Sequence, residues 1–246
     1  RTMLNTAKCE VDEVFRPYLL CSENIRKEDE LSLSEYFSII KLRAFSMLEG
    51  PVASHADMLI CPLGDTLALH GLYYAENKDL FDEFDRLKIK TVQANESVDK
   101  KYPSDILLNG LFLSQTLYGR IDRLSSLLTN YAKDTVFVRQ GYTRCSVCKL
   151  NENAIITADK SIADAASARG VDVLLITSGH TLLDGYNYGF IGGASLTYRD
   201  KVFFFGKIEN HPDYVKMRDF AEKHSVKLIS LSDLPLSDIG GGVIYE

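Results

Sequence analysis

Nothing in the 246 residues approaches the ~18-residue apolar run that crosses a bilayer, so no membrane role is expected. Positive charge is not in excess: 28 Lys and Arg face 34 Asp and Glu, for a net charge of −6. A chain of that sign does not gather phosphate backbones, and nucleic acid is not an expected partner. Cysteine is sparse. Five residues, Cys9, Cys21, Cys61, Cys145 and Cys148, are an odd number spread over a long chain, unlike the dense even frameworks of small secreted domains, so a reducing, cytoplasmic setting is expected. Arg1 to Asp12 holds no apolar stretch of signal-peptide length, with Arg1 and Thr2 ahead of Met3 set aside. Cys145 and Cys148 form a CxxC that no second CxxC or HxxxH accompanies, so no metal is expected, and no cofactor either.

What the chain does have is 46% hydrophobic residues, enough to bury a full core, and a repeat. From Ser54 onward an apolar run, a turn, a second apolar run, an amphipathic helix and a closing strand recur every ~40 to 50 residues. The first unit predicts a strand at 56–61, a strand at 66–70, a helix capped by Asn77 and a strand at 89–92. The second predicts a strand at 105–109, a turn at Gly110, a strand at 111–113, a helix carrying Ile121, Leu124, Leu127, Leu128 and Tyr131, and a strand at 135–138. The third reads as strands at 145–150 and 154–157, a helix capped by Asp159 and ended by Gly170, and a strand at 171–176. The fourth has strands at 189–195 and 202–205, a helix after Pro212 and a strand at 226–231; a half-unit at 238–245 ends the chain.

Two strands precede each helix, whereas a doubly wound fold alternates strictly. One ββαβ unit cannot bury both faces of its sheet. Radial closure in a single domain over 1–246 is therefore expected, with a strand within 11–21 and a helix near 34–48 in the N-terminal segment (1–53) joining the C-terminal strand (236–246) in a fifth blade. A layered α/β sandwich is the alternative.

The residues Phe190-Ile191-Gly192-Gly193-Ala194-Ser195 and Ile239-Gly240-Gly241-Gly242-Val243-Ile244-Tyr245 resemble the inner-strand Gly-Gly signature and the glycine-rich C-terminal strand of the pentein, or guanidino-modifying-enzyme, fold. Gln140 to Cys148 with Tyr188 to Ser195 is similar, more narrowly, to uncharacterised bacterial proteins of that fold. The resemblance implies an α/β propeller of ββαβ repeats with pseudo-fivefold symmetry. For hydrolases and amidinotransferases of the family it also implies a cysteine nucleophile near the C-terminus, a histidine two blades earlier and an acid beside the Gly-Gly pair. This sequence departs at all three: Ile244-Tyr245 carries no cysteine, Ile191 and Ala194 flank the glycines, and Arg144-Cys145 stands where a histidine would. Arg144 would also repel a guanidinium and attract an anion.

Candidate chemistry rests on Thr143-Arg144-Cys145-Ser146-Val147-Cys148. On a strand, Arg144 and Cys148 share one face and Cys145 takes the other, so one thiol could meet a guanidinium that lowers its pKa; two buried structural cysteines are the plainer reading. In a closed propeller Asp65, Asn109, Arg144, Gly192, Gly193 and Asp238 would share one funnel as ligand-binding residues, although Asp65 and Asn109 also suit ordinary turns. His180, in a loop after Ser178-Gly179, is a candidate base or a solvated side chain. Tyr186 and Tyr188 could roof a pocket or pack in a core. Two functions follow: a protein that binds a small polar molecule at the axis, with Cys145, Cys148 and His180 as catalytic candidates for a hydrolase or transferase lacking the usual triad, or a non-catalytic interaction module with a protein partner. A homodimer is left open.

Overall fold

Every sheet in the structure has three strands, and all five are wired alike. The computed structural model describes residues 16–246, so Cys9 and the 11–15 part of the first expected strand lie outside it. Blade 1 starts with β1 (Tyr18–Ser22), α1 (Lys27–Leu33) and β2 (Ser38–Leu42). Blade 2 contains α2 (Ala56–Leu59), β3 (Ile60–Leu63), β4 (Thr66–His70), α3 (Gly71–Glu76), α4 (Lys78–Arg86) and β5 (Lys90–Ala94). Blade 3 is β6 (Leu111–Leu113), β7 (Thr116–Gly119), α5 (Ser126–Tyr131) and β8 (Asp134–Phe137), and blade 4 is β9 (Val147–Asn151), β10 (Ala154–Thr157), α6 (Lys160–Ser167) and β11 (Asp172–Leu175). Blade 5 is β12 (Ser195–Tyr198), β13 (Lys201–Phe204), α7 (Tyr214–Lys223) and β14 (Lys227–Ser230); β15 (Gly242–Tyr245) then returns to blade 1.

In each blade the first two strands are antiparallel and the third lies parallel to the second, which requires the helical crossover between them. In blade 1 the first strand is β15, antiparallel to β1 with Tyr18 opposite Tyr245 and Cys21 opposite Gly242. Both ends of the described chain meet in one sheet.

The middle strands β1, β4, β7, β10 and β13 are largely buried on both faces, because each sheet is covered on both sides there. Leu20 faces a core with Leu67, Leu69 and Phe84 of blade 2, while Leu19 and Cys21 face Leu196, Phe203 and Phe205 of blade 5. The same division continues between blades 2 and 3 (Cys61 and Ala68 with Leu117 and Leu128), 3 and 4 (Leu113 and Tyr118 with Val147 and Ile155), and 4 and 5 (Cys148 and Ile156 with Val202 and Phe204). Five cores for five blades leave no sheet face over. That is an α/β propeller, and the layered sandwich is set aside.

Several local expectations are corrected. Residues 56–59 form helix α2, with β3 starting only at Ile60, and 105–109 and 189–194 are turns that lead into β6 and β12. The helix expected near 34–48 is replaced by β2; the helical segment is α1, whose first turn carries Glu28, Asp29 and Glu30 against the helix dipole. Asn77 precedes α4 without capping it, because its Nδ2 donates back to the Tyr73 carbonyl at 3.1 Å. Asp159 does cap α6, accepting from the Ile162 N–H at 3.0 Å, and Gly170 takes φ +81° beyond it. Among the described residues no helix is long and apolar enough to cross a membrane.

Tyr245, where the family resemblance implies a nucleophile nearby, is a clasp between blades 1 and 2. Its hydroxyl accepts from the Lys90 N–H at 3.1 Å and lies 3.1 Å from the Asp65 carbonyl. Tyr245→Phe is expected to lower unfolding free energy by about 1 kcal/mol, the net worth of such a bond, in urea denaturation, with no change in the denaturant slope.

Candidate functional site

Each first strand is preceded by a lead-in turn, and the five turns meet at the propeller axis. Their backbones and one side chain close a hydrogen-bonded circuit. Asn109 Nδ2 donates to the Asp57 carbonyl at 3.0 Å, joining blade 3 to blade 2, and Asn109 Oδ1 accepts from the Arg144 N–H of blade 4 at 2.9 Å. The Gly193 N–H of blade 5 donates to the Cys145 carbonyl at 2.9 Å, the Gly241 N–H of blade 1 to the Gly193 carbonyl at 2.7 Å, and the Asp57 N–H to the Gly240 carbonyl at 3.1 Å. Packing this close leaves no room for a side chain at the Gly-Gly pair. A Cβ on Gly193 would lie 1.9 Å from Asp238 Oδ1, and one on Gly192 2.4 Å from the Cys145 carbonyl oxygen.

Five buried polar side chains sit on this circuit: His55, Asp57, Asn109, Cys145 and Asp238. Asp238 Oδ2 accepts from the Phe190 N–H at 2.8 Å and Oδ1 from the Gly240 N–H at 3.0 Å, and His55 Nδ1 stands 3.7 Å from Asp238 Oδ1. Asn109 Nδ2 also points at Cys145 Sγ, 2.9 Å away. Asp57 is 3% exposed, and its Oδ1 is buried without a hydrogen-bond partner. Adjoining the circuit, the first strands of all five blades surround an axial channel of about 350 Å³ whose charged lining is Asp57, Arg144 and Lys149. Arg144 Nη1 donates to the Ile60 carbonyl at 2.6 Å, and Lys149 Nζ to the Phe112 carbonyl at 3.1 Å.

The axis thus gathers Asn109, Arg144, Cys145, Gly192, Gly193 and Asp238. It does not gather Asp65, Cys148 or His180. Asp65 lies at the opposite end of β3, exposed and ion-paired to Lys90 at 2.5 Å. Cys148 faces the core between blades 4 and 5. His180 lies in an exposed loop with its ring centroid 5.3 Å from that of His211, beside a separate cavity of about 140 Å³. Tyr186 and Tyr188 are about half exposed. His55 and Asp57 escape the sequence reading because 56–61 looks like one apolar strand; the usable signal is spacing, since Asp57 stands three residues ahead of β3 as Arg144 and Gly192 stand three ahead of β9 and β12.

A sequence profile described as a family of unknown function (DUF6873) matches residues 20–243. The chain belongs to this DUF6873 family. No curated protein sequence matches it. Among solved structures it is similar to DDAH from Pseudomonas aeruginosa complexed with citrulline (TM-score 0.56, 8% identity, covering 93% of this chain and 97% of that one). It is also similar to agmatine deiminase from C. jejuni (TM-score 0.56, 9% identity, 94% of each chain). A third neighbour is SxtG, an amidinotransferase from Microseira wollei in a saxitoxin biosynthetic pathway (TM-score 0.55, 11% identity, 88% of this chain and 77% of that one). At such identities the shared property is the fold, and that fold is the pentein propeller.

Electrostatics at the axis of this DUF6873 protein run against an activated thiol. Burial pushes the Cys145 thiol far above its usual range, and the neighbouring Asp57 and Asp238 push it further in the same direction. The strand alternation expected for 144–148 does not apply, because β9 begins at Val147, and no guanidinium lowers the Cys145 pKa. Burial takes Cys148 up to about 12, with a hydrogen bond to Ser195 acting the other way. Burial, then the charge of Asp57, raises Asp238 to about 7, and burial lowers His55. At 3.7 Å His55 and Asp238 are in contact, and burial disfavours the charged form of each. Among the described residues no three His, Cys, Asp or Glu side chains are grouped to hold a metal.

Two outcomes are expected. Neither Cys145 nor Cys148 should be alkylated by iodoacetamide in the native protein at neutral pH, whereas both should react after denaturation, as read by peptide mass spectrometry. Stability should also carry the signature of Asp238. A carboxyl whose folded pKa is raised holds its proton better folded than unfolded, so its contribution is full below its ordinary 3.8 and is lost as pH rises to about 7. His55, lowered from 6.5, works oppositely, its contribution being lost as pH falls below that value. Asp238→Asn should therefore remove the loss between pH 3.8 and 7 and leave stability rising with pH, as measured by urea denaturation across that range.

Proposed function

We propose that this protein binds a small anionic molecule in the axial channel and does not carry out thiol catalysis there. The observation that supports this most directly is Arg144, a guanidinium lining a channel built from all five blades. Lys149 lies along the same lining, and a cavity of about 350 Å³ suits a small metabolite. A planar guanidinium in the channel lining is suited to carboxylate or phosphate, and it disfavours the cationic guanidino group handled by deiminases and amidinotransferases. The raised thiol of Cys145 argues in the same direction, since the thiolate and not the thiol is the nucleophile. Lys149 is already ion-paired to Glu152 at 2.5 Å, so the reading rests chiefly on Arg144, whose carbonyl bond to Ile60 uses one of its five donors. The four described cysteines are free thiols, which supports placing the protein in a reducing compartment.

The test is calorimetric titration with a panel of small carboxylates and phosphate esters, alongside thermal unfolding. A ligand of the channel should raise the midpoint in proportion to its binding free energy, and Arg144→Gln should weaken it about 10- to 100-fold, as expected for one charge-assisted contact. Equal affinity in wild type and Arg144→Gln would remove the reading.

A further inference from the structure

We propose a second ligand site, for a small primary ammonium compound, in the crevice at the carboxyl end of the parallel pair β4 and β5. The crevice encloses about 370 Å³ and is lined by His70, Gly71 and residues 93–98, among them Gln93, Asn95 and Glu96. His70 is the last residue of β4, paired with Ala94 of β5, and is 1% exposed. Crevices beyond the carboxyl ends of parallel strands are where α/β sheets most often take ligands.

Histidine has more hydrogen-bonding capacity here than the fold uses. His70 Nε2 lies 3.1 Å from the Met58 carbonyl, an acceptor, so Nε2 carries the proton and Nδ1 is a bare acceptor. That Nδ1 is buried and has no partner. The same tie in blade 4 needs only a hydroxyl: Thr157, the last residue of β10, donates from Oγ1 to the Ser146 carbonyl of its own lead-in turn at 2.8 Å. The second ring nitrogen is therefore surplus to the structural task, and as a buried acceptor without a partner it carries an uncompensated desolvation penalty.

Glu96 supplies the complementary charge. Its Oε1 takes all three bonds from Ser125 and Ser126, and Oε2 takes none of them. A ligand answering both groups brings two N–H donors and positive charge, which a primary ammonium does and a quaternary one does not.

The test is a titration of the full chain, labelled with nitrogen-15 at histidine, with methylammonium, using tetramethylammonium as the donor-free control. Methylammonium should shift the His70 Nδ1 resonance saturably while tetramethylammonium leaves it in place. Glu96→Gln, which retains the oxygen that Ser126 uses, should weaken the effect about tenfold, the worth of one charge-assisted hydrogen bond. Binding of methylammonium followed by calorimetry should vanish in His70→Thr, the blade 4 solution, while the fold is retained. An unshifted Nδ1, an equal shift with tetramethylammonium, or unchanged affinity in Glu96→Gln or His70→Thr would overturn the proposal.

Discussion

Closure of the five-blade ring imposes one demand that the rest of the structure answers: five lead-in turns must converge on an axis without leaving their backbone polar groups unpaired. Buried N–H and C=O groups without partners each cost on the order of a kcal/mol or more, so the turns hydrogen bond to one another. The Asn109 amide makes this economical. Its Nδ2 serves blade 2 and its Oδ1 serves blade 4, a double role that an aspartate, having no donor, could not fill. Where no side chain fits, at Gly192 and Gly193, the backbone makes the contact itself.

The same closure sets the chemistry of the axis. Convergence buries His55, Asp57, Cys145 and Asp238 together, and burial penalises every charged form at once. Ionising Cys145 would put a thiolate next to two acidic side chains with no cation to balance them. A histidine, two acids and a cysteine within one cluster would suggest nucleophilic catalysis if read as an inventory; read as electrostatics, burial and the two acids disfavour the thiolate that such catalysis requires. The cationic side chains lie instead along the channel, Arg144 bonded to the Ile60 carbonyl and Lys149 ion-paired to Glu152.

Much of the architecture was legible in the sequence because the repeat is a packing requirement. Strands such as 154–157 and 66–70 are apolar on both faces, and only a sheet covered on both sides explains that. What misled was the approach to each first strand. Residues 56–61, 105–109 and 189–195 are apolar or glycine-rich because they are buried at the axis, and a turn buried among apolar neighbours has the composition of a strand. Asp65 is drawn to the axis by the same misreading: with 105–109 taken as a strand, Asn109 looks like a strand end equivalent to Asp65, whereas Asn109 precedes β6 and Asp65 follows β3. The real axial residues of that blade, His55 and Asp57, were hidden inside the supposed strand and its approach.

Comparison among blades carries the distinction between structural and functional polar groups further than any single residue does. Equivalent positions share the task of closing the ring, so the least elaborate side chain found at a position measures what the fold needs there. At the end of the second strand that minimum is the hydroxyl of Thr157. Three residues ahead of the first strand it is glycine, since Gly192 fills in blade 5 the place that Arg144 fills in blade 4 and Asp57 in blade 2. Neither the guanidinium of Arg144 nor the unpartnered carboxylate oxygen of Asp57 is needed to close the circuit, which uses their backbone groups alone. By this measure Asp57 Oδ1 is surplus to the circuit, and so is the Arg144 guanidinium apart from its bond to the Ile60 carbonyl. Polar surplus facing a cavity is what binding a ligand requires.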